Sequence, residues 1–88
     1  MLSKAQIAAL RLVERGELFW QYRRACNIGT ASVMEFLAGF NAVSRSTMSV
    51  LNERGLVDLY NAQVIAGRGR QVALTPAGRV ALSHEVQP

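Results

Sequence analysis

Residues 43–57, VSRSTMSVLNERGLV, decide the reading of this chain. Ser44 is placed to cap a helix, its hydroxyl meeting one of the free amides of the first turn. Val43 precedes the cap and Met48 falls at the fourth helical position, which is the spacing of a hydrophobic staple. Met48 and Leu51 share an inward side, while Arg45, Ser46, Ser49 and Asn52 fall on the opposite one. Gly55 stands where a left-handed residue ends a helix, and Leu56 is placed to fold back on Leu51. These signals predict a helix over 44–54.

Downstream, Leu56 to Tyr60 reads as a strand with Val57 and Leu59 on one face. Val64 and Ile65 lead into AGRGRQ at 66–71, and Val72 to Leu74 form a return strand. Gly67 and Gly69 permit a sharp tip between them, and the tip carries Arg68 and Arg70. Thr75 followed by Pro76 is a cap with proline at the first helical position, so a final helix begins there and runs through Ala77, Val80 and Ala81 toward His84. Glu85 to Pro88 are expected to fray.

Upstream, Ser3 is placed to cap a first helix to about Arg15, with Ile7, Leu10 and Val13 at helical spacing and Gly16 as the stop. In ELFWQYRRACNIG, residues 17–29, Leu18, Trp20 and Tyr22 alternate with Glu17, Phe19 and Gln21, which reads as a short strand; one or two helical turns is the alternative. Thr30 or Ser32 can cap a second helix over 31–38, with Val33, Phe36, Leu37 and Phe40 at the spacing of a buried side. Gly39 would end it, and GFNA would turn into the helix at 44. The order is helix, short strand, helix, helix, strand, basic turn, strand, helix. This is the α+β layout of a winged helix-turn-helix: a three-helix core, a small antiparallel β-wing and a C-terminal helix.

The 88 residues make one domain, 1–88, half hydrophobic and without a low-complexity run or internal repeat. One lysine and nine arginines against six acids leave a charge of +4, the profile of a nucleic-acid binder. The bias to arginine strengthens that reading, because a guanidinium fork matches phosphate and guanine geometry. With one cysteine, Cys26, and one histidine, His84, neither an internal disulfide nor a zinc cluster can form, so no cofactor is expected and a reducing, cytoplasmic setting is. Cys26 reads as a small buried or half-buried thiol. No apolar stretch is long enough to span a bilayer, and Lys4 and Arg11 interrupt anything resembling a secretory leader. No paired carboxylates, nucleophile elbow or phosphate loop stands out, and no enzymatic activity is expected.

Reading bases in a duplex requires side chains that reach the major groove from a rigid helix. The predicted helix offers Ser44, Arg45, Ser46, Thr47, Ser49 and Asn52. Arg45 lies in the first turn and can fork onto guanine; Asn52 suits adenine or a phosphate. An ordinary solvated helix face would be rich in Glu and Lys, whereas this one has no acid before Glu53. Arg68 and Arg70, on a glycine-rich tip at 66–71, can grip phosphates or enter the minor groove. Arg23 and Arg24 form an auxiliary basic pair. Clustered aromatic residues could stack single-stranded bases, but Phe19, Trp20, Tyr22 and Phe36 read more readily as core or dimer packing.

VSRSTMSVLNERGLV at 43–57 and LTPAGRVAL at 74–82, with the basic turn between them, resemble the MarR-type winged-helix transcription regulators over about the second half of the chain. The resemblance implies that the helix holding Arg45, Ser46, Thr47 and Ser49 enters the major groove, and that Arg68 or Arg70 is the wing arginine. Two features depart from that family. Ala66 and Gly67 stand where an acid usually precedes the wing arginine. The long terminal helices that form the family's dimer and ligand pocket have no counterpart, so no small-molecule effector is expected.

The sequence thus predicts a compact, sequence-specific binder of double-stranded DNA, a transcriptional repressor working as a homodimer on a two-fold site. The first helix, residues 17–29 and the last helix are its candidate dimer surfaces, with Phe19, Trp20 and Leu82 as apolar residues exposed in a monomer. The rivals are a plasmid or phage replication or partition protein, a winged-helix module that binds another protein, and a single-strand or RNA binder, which would need Trp20 and Tyr22 exposed to solvent.

Overall fold

A computed structural model describes residues 2–24 and 32–86. In chain order these form α1 (Lys4–Glu14), β1 (Phe19–Arg24), β2 (Ser32–Ala38), β3 (Asn41–Val43), α2 (Arg45–Glu53), β4 (Val57–Asp58), β5 (Val64–Ile65), β6 (Gly69–Gln71), β7 (Ala73–Leu74) and α3 (Pro76–Val86). The architecture is α+β: three helices and two antiparallel sheets among the described residues. The larger sheet has the strand order β3-β2-β1-β6-β5, and β4 pairs with β7.

Local signals place the helix ends. Ser3 caps α1 through a reciprocal box with Gln6: the Gln6 amide donates to the Ser3 hydroxyl at 3.1 Å and the Ser3 amide to the Gln6 side chain at 3.0 Å. At the end of α2, Gly55 adopts φ 72°, the Leu56 amide donates to the Leu51 carbonyl at 2.9 Å, and Gly55 donates to Asn52 at 3.0 Å. This is the Schellman ending expected there. Thr75 caps α3, accepting from the Gly78 amide at 3.0 Å and donating to the Gly55 carbonyl at 2.6 Å. One hydroxyl therefore ties the start of α3 to the end of α2.

The segment expected to be a helix over 31–38 is a strand. Across β1 and β2, Phe19 faces Leu37, Trp20 faces Phe36 and Tyr22 faces Met34, in a ladder that continues to Arg24 and Ser32. Val33, Phe36, Leu37 and Phe40 fit helical spacing, but pairing along the whole of an aromatic-rich neighbour outweighs that local pattern. Gly39, at φ 65°, supplies the first residue of a two-residue hairpin loop between Ala38 and Asn41. GFNA therefore turns strand into strand. No helix-turn-helix pair is present among the described residues, and a β-hairpin feeds directly into α2. Thr30 and Cys26 lie outside the described residues, as do 25–29 of the segment expected as a strand.

The ladders sort the large sheet into two faces. Trp20, Phe36 and Val43 occupy the inner one, packed with Leu10, Leu18, Met48, Leu51 and Val72 of the main core. Phe19, Leu37 and Ala42 occupy the outer one. Phe19, Trp20 and Leu82, expected to be exposed in a single copy, are only 5%, 7% and 3% exposed within this one chain. Phe19 is buried apart from the main core, with the Arg68 guanidinium 5.4 Å from its ring centre.

Candidate nucleic-acid interface

The helix α2 is amphipathic in the sense the sequence predicts. Met48 and Leu51 are fully buried. Ser44, Arg45, Ser46, Ser49 and Asn52 are exposed and Thr47 is half-buried. Ser44 occupies the cap position, yet its hydroxyl makes no cap bond; it lies 2.8 Å from the Ser46 hydroxyl instead. The amides at the start of α2 are thus left without the side-chain acceptor that the sequence predicts, which suits an incoming anion. The Arg45 side chain makes no hydrogen bond or ion pair among the described residues, whereas Arg15 is paired with Glu17 at 3.4 Å on the open surface.

Arg45, Ser49 and Asn52 recur at helical spacing along the flank of α2 that borders the inner face of the sheet. With Met34, Phe36, Leu59 and Tyr60 they line an open cleft of about 320 Å³. Its far wall is the loop after β4, held at five backbone groups. Asp58 accepts from the amides of Tyr60 and Asn61 at 3.0 and 3.2 Å and from the Asn61 side chain at 2.7 Å. The Trp20 indole donates to the Leu59 carbonyl. Arg70 donates to the carbonyls of Tyr60 and Ala62, each at 3.0 Å. The Tyr60 amide, and then the Asn61 side chain, hold the Asp58 carboxyl below its ordinary value near 3.8 by bonding its charged form.

The two arginines of the predicted wing part company. Gly67 and Gly69 take φ of 80° and 98°, and the Arg68 amide closes the turn onto Ile65 at 3.0 Å. Arg68 is exposed and lies over Phe19 on the outer face. Arg70 faces Trp20 across the ladder, on the inner face, and braces the Tyr60 loop. The structure brings Arg45, Ser49 and Asn52 together with that loop, and sets Arg68 on the other side of the sheet. The side chains of Arg23 and Arg24 lie outside what the structure describes.

Sequence reasoning missed Tyr60 and Met34, and it read Tyr22 as core or dimer packing, whereas Tyr22 is exposed in the single chain. Tyr22 and Tyr60 both meet Trp20 edge-on, at centroid distances of 5.3 and 5.6 Å, and both remain mostly exposed. The spacing of Asp58 and Asn61 is a turn signal that could have located the loop. Nothing local joins Met34 to Asn52. No group of three His, Cys, Asp or Glu side chains among the described residues could hold a metal, and no described helix is long and apolar enough to cross a membrane.

Fold and surface together define a small α+β domain with an exposed, acid-poor helix side beside an aromatic cleft. Comparison with protein-family profiles, with curated proteins and with solved structures gives no match to this chain.

Proposed function

We propose that this protein is a sequence-specific binder of double-stranded DNA and acts as a small transcriptional repressor rather than an enzyme. The observation that carries the reading is the exposed side of α2: Arg45, Ser46, Ser49 and Asn52 with no acid before Glu53 and no partner for the Arg45 side chain in the described residues. In this reading the fold is a winged-helix variant in which the β2–β3 hairpin replaces the helix before α2. The start of α2 enters the major groove, Ser44, Ser46 and Thr47 let it approach the backbone, and Arg45 reaches a base edge. The wing at 66–71 lies along the backbone, with Arg68 in its β5–β6 turn leaving Phe19 to meet a phosphate or the minor groove, while Arg70 on β6 braces the Tyr60 loop. Two copies bind a two-fold site. The β2–β3 turn, where Phe40 is fully exposed beside Leu37, is the surface proposed to join them.

Selection of bound duplexes from a random pool, followed by binding titrations over a salt series, tests this. Arg45→Ala is expected to cost roughly 1–3 kcal/mol and relax sequence preference, and Arg68→Ala to lower the salt slope by about one. Unchanged affinity of both variants at every salt concentration would refute the assignment.

A further inference from the structure

The cleft beside α2 has the build of a ligand site. Its walls are the apolar side chains of Met34, Phe36 and Leu59 and the ring of Tyr60, and its rim carries Arg45 and Asn52. The volume of about 320 Å³ falls at the small end of ligand pockets, where one planar ring with a substituent fits. Arg45 is the one charge in its lining, so an anionic partner is favoured. The Tyr60 wall is fixed in advance by Asp58, Trp20 and Arg70, which lowers the ordering cost of stacking against it. Tyr22, opposite Met34 in the ladder, extends the aromatic surface beyond the cleft.

We propose that this cleft receives an unpaired nucleobase of a DNA strand. Its ring lies on Tyr60, its hydrogen-bonding edge meets the Asn52 amide, and the positive charge of Arg45 in the lining draws the strand toward the cleft. The faces of a paired base are covered by its stacked neighbours; only an unstacked one can lay its ring on Tyr60. The inference rests on α2 facing DNA and goes beyond that reading by naming a strand feature, a bulged or single-stranded position, that the site prefers.

The test uses the whole chain and three labelled DNAs: a paired duplex carrying the selected site, the same duplex with one unpaired base, and a single strand. Affinity is read by anisotropy, and emission from Trp20, the one tryptophan, reports on the cleft. Tighter binding of the bulged duplex with a change in Trp20 emission is expected. Tyr60→Ala should remove roughly 5- to 150-fold of that affinity, the range of one base–aromatic stack. It should leave the paired duplex unaffected, and Tyr60→Phe should keep the preference. Tyr60 is 59% exposed, so its truncation spares the core, which circular dichroism checks. Asn52→Leu, at an exposed helix position, gives a second reading: it should erase discrimination among the four unpaired bases. Equal affinity of the parent for paired and bulged duplexes overturns the inference and leaves duplex binding standing. Equal weakening of both by Tyr60→Ala, or binding of free mononucleotides with no strand preference, overturns it as well. Failure to bind any of the three DNAs overturns both readings.

Discussion

Replacing Gly78 with alanine sets helix propensity against tertiary packing, and the two predict opposite signs. Gly78 is buried near the start of α3, and its amide donates to the Thr75 cap at 3.0 Å. On propensity and unfolded-chain entropy, alanine inside a helix gains about 0.5–1 kcal/mol. In the fold, a Cβ at Gly78 would stand closer than 3.0 Å to the Leu56 carbonyl oxygen and 2.8 Å from Leu74 Cδ1. The leucine end can rotate; the backbone oxygen cannot. Moving α3 away costs about 1–3 kcal/mol as overpacking, and disturbing the Thr75 cap adds about 1 kcal/mol. The net expectation is a loss of about 1–3 kcal/mol, or a melting point roughly 5–20 °C lower for a chain of this size. Thermal and urea melts followed by circular dichroism and Trp20 emission measure it. Gly55→Ala is the control: its Cβ would meet nothing within 4 Å, so its loss reflects only φ of +72°, about 1–2 kcal/mol. A Gly78→Ala variant as stable as its parent, or more so, would refute the argument that contact between α3 and Leu56 forces glycine here.

Arg70→Ala is expected to lose about 1 kcal/mol of stability and shift Trp20 emission, since two bonds from a charged, partly exposed group disappear; Arg45→Ala, at a side chain without a partner among the described residues, should melt with the parent, and matching melts for both variants would remove the bracing role. Gly69→Ala places a Cβ 2.5 Å from the Trp20 carbonyl at a backbone φ of +98°, so the β1–β6 pairing should loosen, seen as faster amide exchange at Val72, whose amide donates to the Leu18 carbonyl, than at Leu37. Asp58 has a folded value held below 3.8 by the Tyr60 and Asn61 donors, so its contribution is full above that pH and is lost as pH falls through the lowered value. Asp58→Asn should flatten the acid side of the stability profile below pH 3.8, and an unchanged profile would show that the bonds to Tyr60 and Asn61 carry no linkage.

What lay in the sequence was what short-range chemistry dictates. Ser3, Gly55 and Thr75 act within one helical turn, so their caps follow from neighbours alone, and the buried pair Met48 and Leu51 follows from helical periodicity. The polar side of α2 was legible for the same reason. Tertiary structure alone decided the rest. Residues 32–38 carry apolar groups at spacings that satisfy a helix and a strand alike, and only pairing with β1, through partners up to 18 positions away, selects the strand. The parting of Arg68 and Arg70 depends on which face of the sheet each joins, a two-residue alternation that means nothing until the strand has a partner. The cleft beside α2 assembles Met34, Asn52 and Tyr60 from separate elements, and no local pattern encodes a meeting that long-range packing creates.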